Sequence, residues 1–240
     1  MSKALVIIPT YNERENVEAI IRAVFALSEP FEVLIVDDGS PDGTAAIVRQ
    51  LQETHFPGKL HLLERSGKLG LGTAYIAGFR WGLSHDFAYI FEMDADFSHD
   101  PNDLMRLLAA CRDDGADLSV GSRYCRGGKL ENWPLDRIIL SRGASMYTSL
   151  ILWMPVADPT AGFVCYRREV LEAINLNNIC FIGYAFQVEM KYTAYRLGFR
   201  MKEVPITFKD REKGQSKMSL HIIREAMLGV FQMRFRSYSN

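Results

Sequence analysis

The chain has 240 residues, 28 basic against 29 acidic, a formal charge of −1 and a sequence pI near 6.5. That balance excludes a general nucleic-acid binder, whose affinity rests on surplus Lys and Arg. Hydrophobic residues make up 48% and charged ones 24%, so the chain is globular and large enough to need no disulfide staples.

Residues 5–8 form a short apolar run closed by Pro9, too short for a signal-peptide core, and read as a buried strand. A polar turn, Pro9-Thr10-Tyr11-Asn12-Glu13, leads to Val17, Ile20, Ile21, Val24 and Phe25 at helical spacing. Residues 33–36 are a second strand, ending in Asp37-Asp38-Gly39-Ser40. Asp42 then stands where it caps a helix through Ile47, Val48 and Leu51. Residues 60–63 read as a third strand, 72–83 as a helix, 89–91 as a fourth strand, 102–112 as a helix and 118–120 as a fifth strand. Strands alternating with helices predict βαβ units. The expectation is therefore α/β: a single Rossmann-like domain over residues 1–217, with a mostly parallel central sheet and helices on both faces. An amphipathic helix over 218–240 follows it. No stretch reaches the ~20 apolar residues of a membrane span. The four cysteines (Cys111, Cys125, Cys165, Cys180) form no CxxC pair and read as free thiols in a reducing compartment.

Carboxylates gather after two strands: Asp37 and Asp38, then Asp94 and Asp96. In open parallel sheets that edge binds ligands, although Asp and Gly also serve in plain turns. An i, i+2 pair leaving a buried strand points both carboxylates one way, and hard oxygen ligands suit Mg²⁺ or Mn²⁺. The Gly70-Leu71-Gly72 tract fits neither a P-loop nor a dinucleotide fingerprint, but offers backbone N–H groups to an anion at a helix start. Arg123 follows the fifth strand, and Arg137 and Ser141 lie four apart on one helix face. Arg211 and Lys217 bracket a polar loop after the strand 204–208, suited to closing over phosphates. Among the five histidines only His99 lies near these residues, and a turn or supporting role is expected of it.

Taken together these motifs resemble the dolichol-phosphate mannosyltransferases, family 2 glycosyltransferases of the GT-A fold. The residues that carry the likeness are Pro9-Thr10-Tyr11-Asn12-Glu13, Asp37-Asp38-Gly39-Ser40-Pro41-Asp42-Gly43-Thr44, Arg65 with Gly67-Lys68-Leu69-Gly70-Leu71-Gly72, and Met93-Asp94-Ala95-Asp96. Gly121-Ser122-Arg123-Tyr124, Asp158-Pro159-Thr160 with Gly162-Phe163, and Asp210-Arg211 with Ser216-Lys217 continue it. The resemblance implies inverting, metal-dependent transfer of mannose from GDP-mannose to a polyprenyl phosphate. It implies that Pro9, Tyr11, Glu13, Val36 and Asp38 contact the guanosine. Asp94, Ala95 and Asp96 hold the diphosphate through Mg²⁺ or Mn²⁺, with Ser98 as a further metal ligand where many relatives carry Gln. Arg211 and Lys217 close on the diphosphate, and Arg123, Arg137 and Ser141 bind the acceptor phosphate. Ala161 and Val164 depart from the Ser and Arg found in relatives.

Competing readings are a polyprenyl-phosphate glucosyltransferase using UDP-glucose, a nucleotidyltransferase, and a non-catalytic nucleotide-sugar-binding subunit. The nucleotidyltransferase reading lacks its Gly-rich signature after the first strand. A polyprenyl acceptor lies in a bilayer, so the expected location is cytoplasmic and peripheral, on a membrane surface or a small membrane-protein partner. Leu220, Ile223, Met227, Val230 and Phe231 form a C-terminal apolar stripe near basic residues that suits an interface, and equally suits packing on the domain. The uncharged helix over 144–153 is a second docking candidate, with core packing the favoured expectation.

Overall fold

The computed structural model describes residues 3–183, 185–210 and 220–236, with the side chains of 220–226 outside that description. The first half alternates as expected: β1 (Ala4–Thr10), α1 (Val17–Phe25), β2 (Phe31–Asp37), α2 (Thr44–Thr54), β3 (Leu60–Glu64), α3 (Leu71–Leu83), β4 (Tyr89–Glu92), α4 (Asp103–Arg112) and β5 (Leu118–Ser122). The second half adds β6 (Lys129–Glu131), α5 (Leu135–Leu152), β7 (Val164–Arg167), α6 (Arg168–Ala173), α7 (Ala185–Arg196), β8 (Met201–Pro205), β9 (Thr207–Lys209) and α8 (Leu220–Phe235). The apolar run expected as one strand over 204–208 is divided at Ile206 between β8 and β9, which belong to different sheets.

Seven strands form the main sheet in the order β3-β2-β1-β4-β7-β5-β8. All neighbours are parallel except β7, which runs antiparallel to both β4 and β5. β1 and β2 carry continuous apolar runs, residues 4–8 and 33–36, because helices cover both faces. Val6, Ile8, Val33 and Ile35 face one core with α1, α2 and α4. Leu5, Ile7, Leu34 and Val36 face the other, with α3, α6 and α7.

Chain direction decides what meets at the site. Thr10 pairs with Asp37, Ile7 with Glu92 and Asp37 with Glu64, so the parallel strands finish at a common edge. Because β7 is reversed, its start at Val164 lies beside Glu92 and Val120, which brings the segment before it to that same edge. The strand order turns back between β1 and β4, the place where α/β sheets open a ligand crevice.

α5 corrects an expectation. Its inward positions Ser145, Thr148 and Leu152 are buried, but Leu135, Ile139, Met146 and Leu150 are 76, 71, 66 and 72% exposed and Trp153, just past its end, is 70% exposed. These recur at helical spacing on one outward face with Arg142 among them, so the helix is apolar outside and largely polar inside. Core packing accounts for Leu152, with Tyr147 and Ile151 against the same cluster, but not for Met146, Leu150 and Trp153. α8 divides the expected C-terminal stripe: Val230 and Met233 pack with Leu152 and Val188, while Met227, Leu228, Phe231 and Phe235 are exposed. The side chains of Leu220 and Ile223 lie outside the described residues. Among the described residues, no helix is long and apolar enough to cross a membrane.

Candidate active site

The edge begins with the turn after β1. Asp37 is buried and holds this turn: its Oδ1 accepts from Thr10 Oγ1 at 2.9 Å and Ser40 Oγ at 2.6 Å, and its Oδ2 from Ser40 N. Gly43 rather than Asp42 is the N-cap of α2, and no side chain caps it; Asp42 instead holds the turn just ahead, accepting from Thr44 N at 3.0 Å and Thr44 Oγ1 at 2.6 Å, and also from Arg14 N. Those bonds outweigh the effect of burial and hold its carboxyl below the ordinary value. Pro9 is half-buried at the end of β1, and Tyr11 is exposed with Lys68 Nζ 4.7 Å from its ring centre. Glu13 accepts from Asn16 Nδ2 and gives its backbone N–H to Thr44 Oγ1. Val36 is fully buried in the core, so only its main chain faces the crevice.

Asp38 is engaged by a residue absent from the expected set. Arg65 grips its two oxygens at 2.7 and 2.9 Å and reaches Thr73 Oγ1 at 2.8 Å. Thr73 in turn donates to Gly70 O. The Gly70–Gly72 tract is consequently a packing device. Gly72 N–H donates to Ile182 O at 2.9 Å, so it is not open to an anion as expected. A Cβ on Gly72 would lie 2.7 Å from the Phe186 ring.

Asp94, Ala95 and Asp96 leave β4 at the centre of the edge, the two carboxylates partly exposed and Ala95 buried. Tyr75 OH lies 3.5 Å from Asp94 Oδ1; burial, reinforced by Asp94, pushes its phenol well above the usual range. Asp96 Oδ1 accepts Ser98 N–H at 3.1 Å, and Phe97 between them takes a positive φ of 58°. The Ser98 hydroxyl is buried with no hydrogen-bond partner. Two carboxylates and an unsatisfied hydroxyl make a hard oxygen set. It fits Mg²⁺ or Mn²⁺ of the kind completed by substrate phosphates and water. Among the described residues no cluster of three or more acidic, His or Cys side chains suggests an all-protein metal cage. His99 lies at the end of the bend after β4 and is buried there, stacking on Phe163 at 4.8 Å and meeting Phe208 edge-on at 5.2 Å. Burial pulls its imidazole below the ordinary pKa.

The basic group closes the other side. Arg123 is turned onto Asp158: Nε and Nη2 donate to the two carboxylate oxygens at 2.7 Å each, and the backbone N–H adds a third bond at 3.0 Å. Nη2 also reaches Thr160 Oγ1 at 2.8 Å. Burial alone would raise the Asp158 carboxyl, but the Arg123 charge and these bonds hold it below the ordinary value. Glu203 fixes the loop from below, accepting the Ala157 and Asp158 N–H groups at 2.9 and 3.0 Å. Arg137 pairs with Asp210 at 2.8 Å and lies over the Trp133 ring, 3.8 Å from its centre. Ser141 accepts from Tyr124 OH at 2.7 Å. Arg211 and Lys217 lie outside the described residues; the segment that carries them leaves β9 beside Arg137, at Asp210.

Arg65, Lys68, Asp158 and Asp210 complete the edge and were not expected there. Arg65, Lys68, Asp158 and Asp210 all stood inside the quoted motifs, so their motif positions were the available signal.

Comparison with known proteins gives a consistent picture. The model of glycosyl transferase family 2 matches residues 5–174. Polyprenol monophosphomannose synthase of Mycolicibacterium smegmatis is 49% identical over 234 residues, covering 98% of this chain and 88% of that protein. Undecaprenyl-phosphate mannosyltransferase of Micrococcus luteus is 46% identical over 230 residues, covering 95% and 92%. Among solved structures, a mannosyltransferase from Pyrobaculum calidifontis in complex with GDP-Man and Mn²⁺ aligns at a TM-score of 0.61 and 21% identity. That alignment covers 93% of this chain and 60% of the other. Glucosyl-3-phosphoglycerate synthase from Mycobacterium tuberculosis, with Mn²⁺, uridine diphosphate and glucosyl-3-phosphoglycerate, aligns at 0.67 and 17% identity, covering 97% and 78%. At such identities the two structures speak to the fold.

Proposed function

The chain belongs to glycosyl transferase family 2, and from that premise we propose that it moves mannose from GDP-mannose to the phosphate of a polyprenyl monophosphate, inverting the anomeric carbon. The observation that carries this reading is the convergence, at one sheet edge, of a hard oxygen set with an arginine-rich wall: Asp94, Asp96 and Ser98 on one side, Arg123, Arg137 and Ser141 on the other. The relatives named as acting on polyprenyl or undecaprenyl phosphates support the acceptor class.

On this reading Pro9, Tyr11, Glu13, Asp38 and the Val36 main chain seat the guanosine, with Arg65 fixing the Asp38 carboxylate. Asp94, Ala95 and Asp96 hold the diphosphate end, joined by Arg211 and Lys217. A bound Mg²⁺ or Mn²⁺ supplies Lewis-acid stabilisation of the charge that develops on the departing diphosphate. Arg137 and Ser141 orient the acceptor phosphate, and Arg123 shapes the wall behind it while fixed on Asp158. A phosphate monoester with a second pKa of roughly 6 is already an anionic nucleophile at neutral pH. Positioning then replaces a general base. A single in-line displacement inverts the sugar.

The same helix supplies the membrane side. Arg137 and Ser141 face the site from α5, while Leu135, Ile139, Met146, Leu150 and Trp153 face outward. Exposed Met227, Phe231 and Phe235 of α8 add to the apolar surface, and Arg234 lies 4.0 Å over the Trp153 ring. A bilayer interface fits such a surface, with the basic residues at headgroup level, so the protein works peripherally on a cytoplasmic membrane face. The decisive test is incubation with labelled GDP-mannose or UDP-glucose and a short polyprenyl phosphate, with and without Mn²⁺ or Mg²⁺. Metal-dependent label transfer from GDP-mannose alone is expected. Transfer from UDP-glucose, or full transfer in chelator, refutes the donor or the metal assignment respectively.

A further inference from the structure

Behind the edge lies a charged group that the site does not use. Lys191, in α7, is fully buried in a helix whose residues 185–194 are all buried. Its Nζ donates to Ala161 O at 2.7 Å and to Gln187 Oε1 at 3.3 Å. Glu92, the last residue of β4, is also fully buried, and among the described residues neither of its oxygens has a partner in hydrogen-bond geometry, although the Gln187 amide is close enough to favour its charged form. Burial raises the Glu92 carboxyl and lowers the Lys191 ammonium, each partly offset by the other's charge. Burying a lysine and a glutamate is costly, and a methionine would fill the same volume without that cost.

The geometry gives the lysine a purpose. Ala161 belongs to the segment between Asp158, which clamps Arg123, and Phe163, which leads into β7. Both ends of that segment are tied down: Glu203 accepts the Asp158 N–H, Asp158 and Thr160 bond to Arg123, and Phe163 is buried with its carbonyl accepting from Gly121 N at 2.8 Å. Its middle has only Ala161 N–H reaching Asp158 O at 3.3 Å besides the lysine. Gly162 sits over the Gln187 amide, 3.7 Å from where a Cβ would be. Lys191 therefore grips the middle of the acceptor-side segment while facing the residue two before Asp94. We propose that Lys191, together with Glu92 and Gln187, is a positioning residue that holds the 158–163 segment, and with it Arg123, in fixed relation to the strand carrying Asp94. The kinetic consequence rests on the transferase reading above; the structural consequence does not.

Two measurements test this separately. Hydrogen exchange on the full chain reads the segment directly. Lys191→Met is expected to speed exchange of peptides covering 158–166 while peptides of β1 and β2 keep wild-type protection. Steady-state transfer reads the alignment. The same variant is expected to lose about tenfold to a hundredfold in kcat, the scale of a small misalignment of reactants, with the KM for GDP-mannose within about twofold of wild type. Glu92→Gln/Lys191→Met removes both ionisable groups; it is expected to recover thermal stability but not kcat. Unchanged exchange at 158–166, or a double variant with wild-type kcat, overturns the proposal, the latter because it makes the pair purely structural. If Lys191→Met does not fold, Gln187→Met keeps both ionisable groups and is expected to show the same exchange pattern to a lesser degree; wild-type protection there overturns the proposal too. Altered exchange in a protein inert toward every donor supports the positioning role and refutes the transferase reading instead.

Discussion

Asp158→Asn isolates the clamp that holds Arg123 in place. The carboxylate has no exposed surface, its partner Arg123 is 10% exposed, and it accepts three bonds from Arg123 and one from Thr160 Oγ1 at 3.1 Å. An asparagine has one acceptor oxygen, so its amide must face at least one of the Arg123 donors, and the guanidinium keeps its charge while losing the Asp158 carboxylate. Breaking a buried pair from one side costs about 3–5 kcal/mol. For a chain of this size that lowers Tm by roughly 6–20 °C. The sign with pH follows from the lowered Asp158 pKa. Its contribution is complete above the unfolded carboxyl value of about 3.9 and is lost as pH falls through the folded value below it. The gap between wild type and variant is thus constant from pH 8 to about pH 5 and narrows below about pH 4. Thermal or urea unfolding across that range is the assay. A loss under about 1 kcal/mol at pH 7, or a gap that widens on acidification, refutes the claim that this pair holds the loop.

Asp96→Ala removes one carboxylate of the oxygen set and the Ser98 N–H acceptor. Metal-dependent transfer is expected to be abolished while the far-ultraviolet circular dichroism spectrum and Tm stay near wild type, since Asp96 is partly exposed. Arg137→Ala removes the guanidinium from Asp210 and from the Trp133 ring. Its KM for a short polyprenyl phosphate is expected to rise about tenfold with the donor KM unchanged, as for a lost charge-assisted bond; a donor-only effect contradicts its acceptor role. Leu150→Glu/Trp153→Glu changes two outward side chains of α5 and is expected to reduce sedimentation with anionic liposomes at least severalfold with little change in Tm. Undiminished sedimentation rules out this face as the docking surface.

The family relationship gives the site a chemical frame, while its local physics explains several departures from expectation. Arg123 reads in the sequence as an open phosphate clamp, but in the fold its planar guanidinium matches Asp158 in a two-pronged pair 35 residues away. The Gly70–Gly72 tract reads as a possible anion cradle, but close packing of α3 on Phe186 and on Ile182 O uses it up. The helix over 144–153 reads as core because it lacks charge, yet Ser145 and Thr148 hold much of its inward face and only Leu152 is fully buried among its large apolar residues, so Met146 and Leu150 are left outside.

The sequence by itself determined the first half of the fold and the position of the acidic edge. Continuous apolar runs, 3.6-residue periodicity and Asp-rich strand ends are local signals, and helices and strands follow local signals. It also carried the family, through motifs in order along the chain. Tertiary structure alone decided the reversal of β7, which strands neighbour which, the partners of Asp38, Arg123 and Lys191, and which face of α5 turns outward. A strand's apolar run records that it is buried, not beside what or in which direction. A charged residue records a charge, and only the fold supplies the partner 27, 30 or 35 residues distant that makes burying it tolerable.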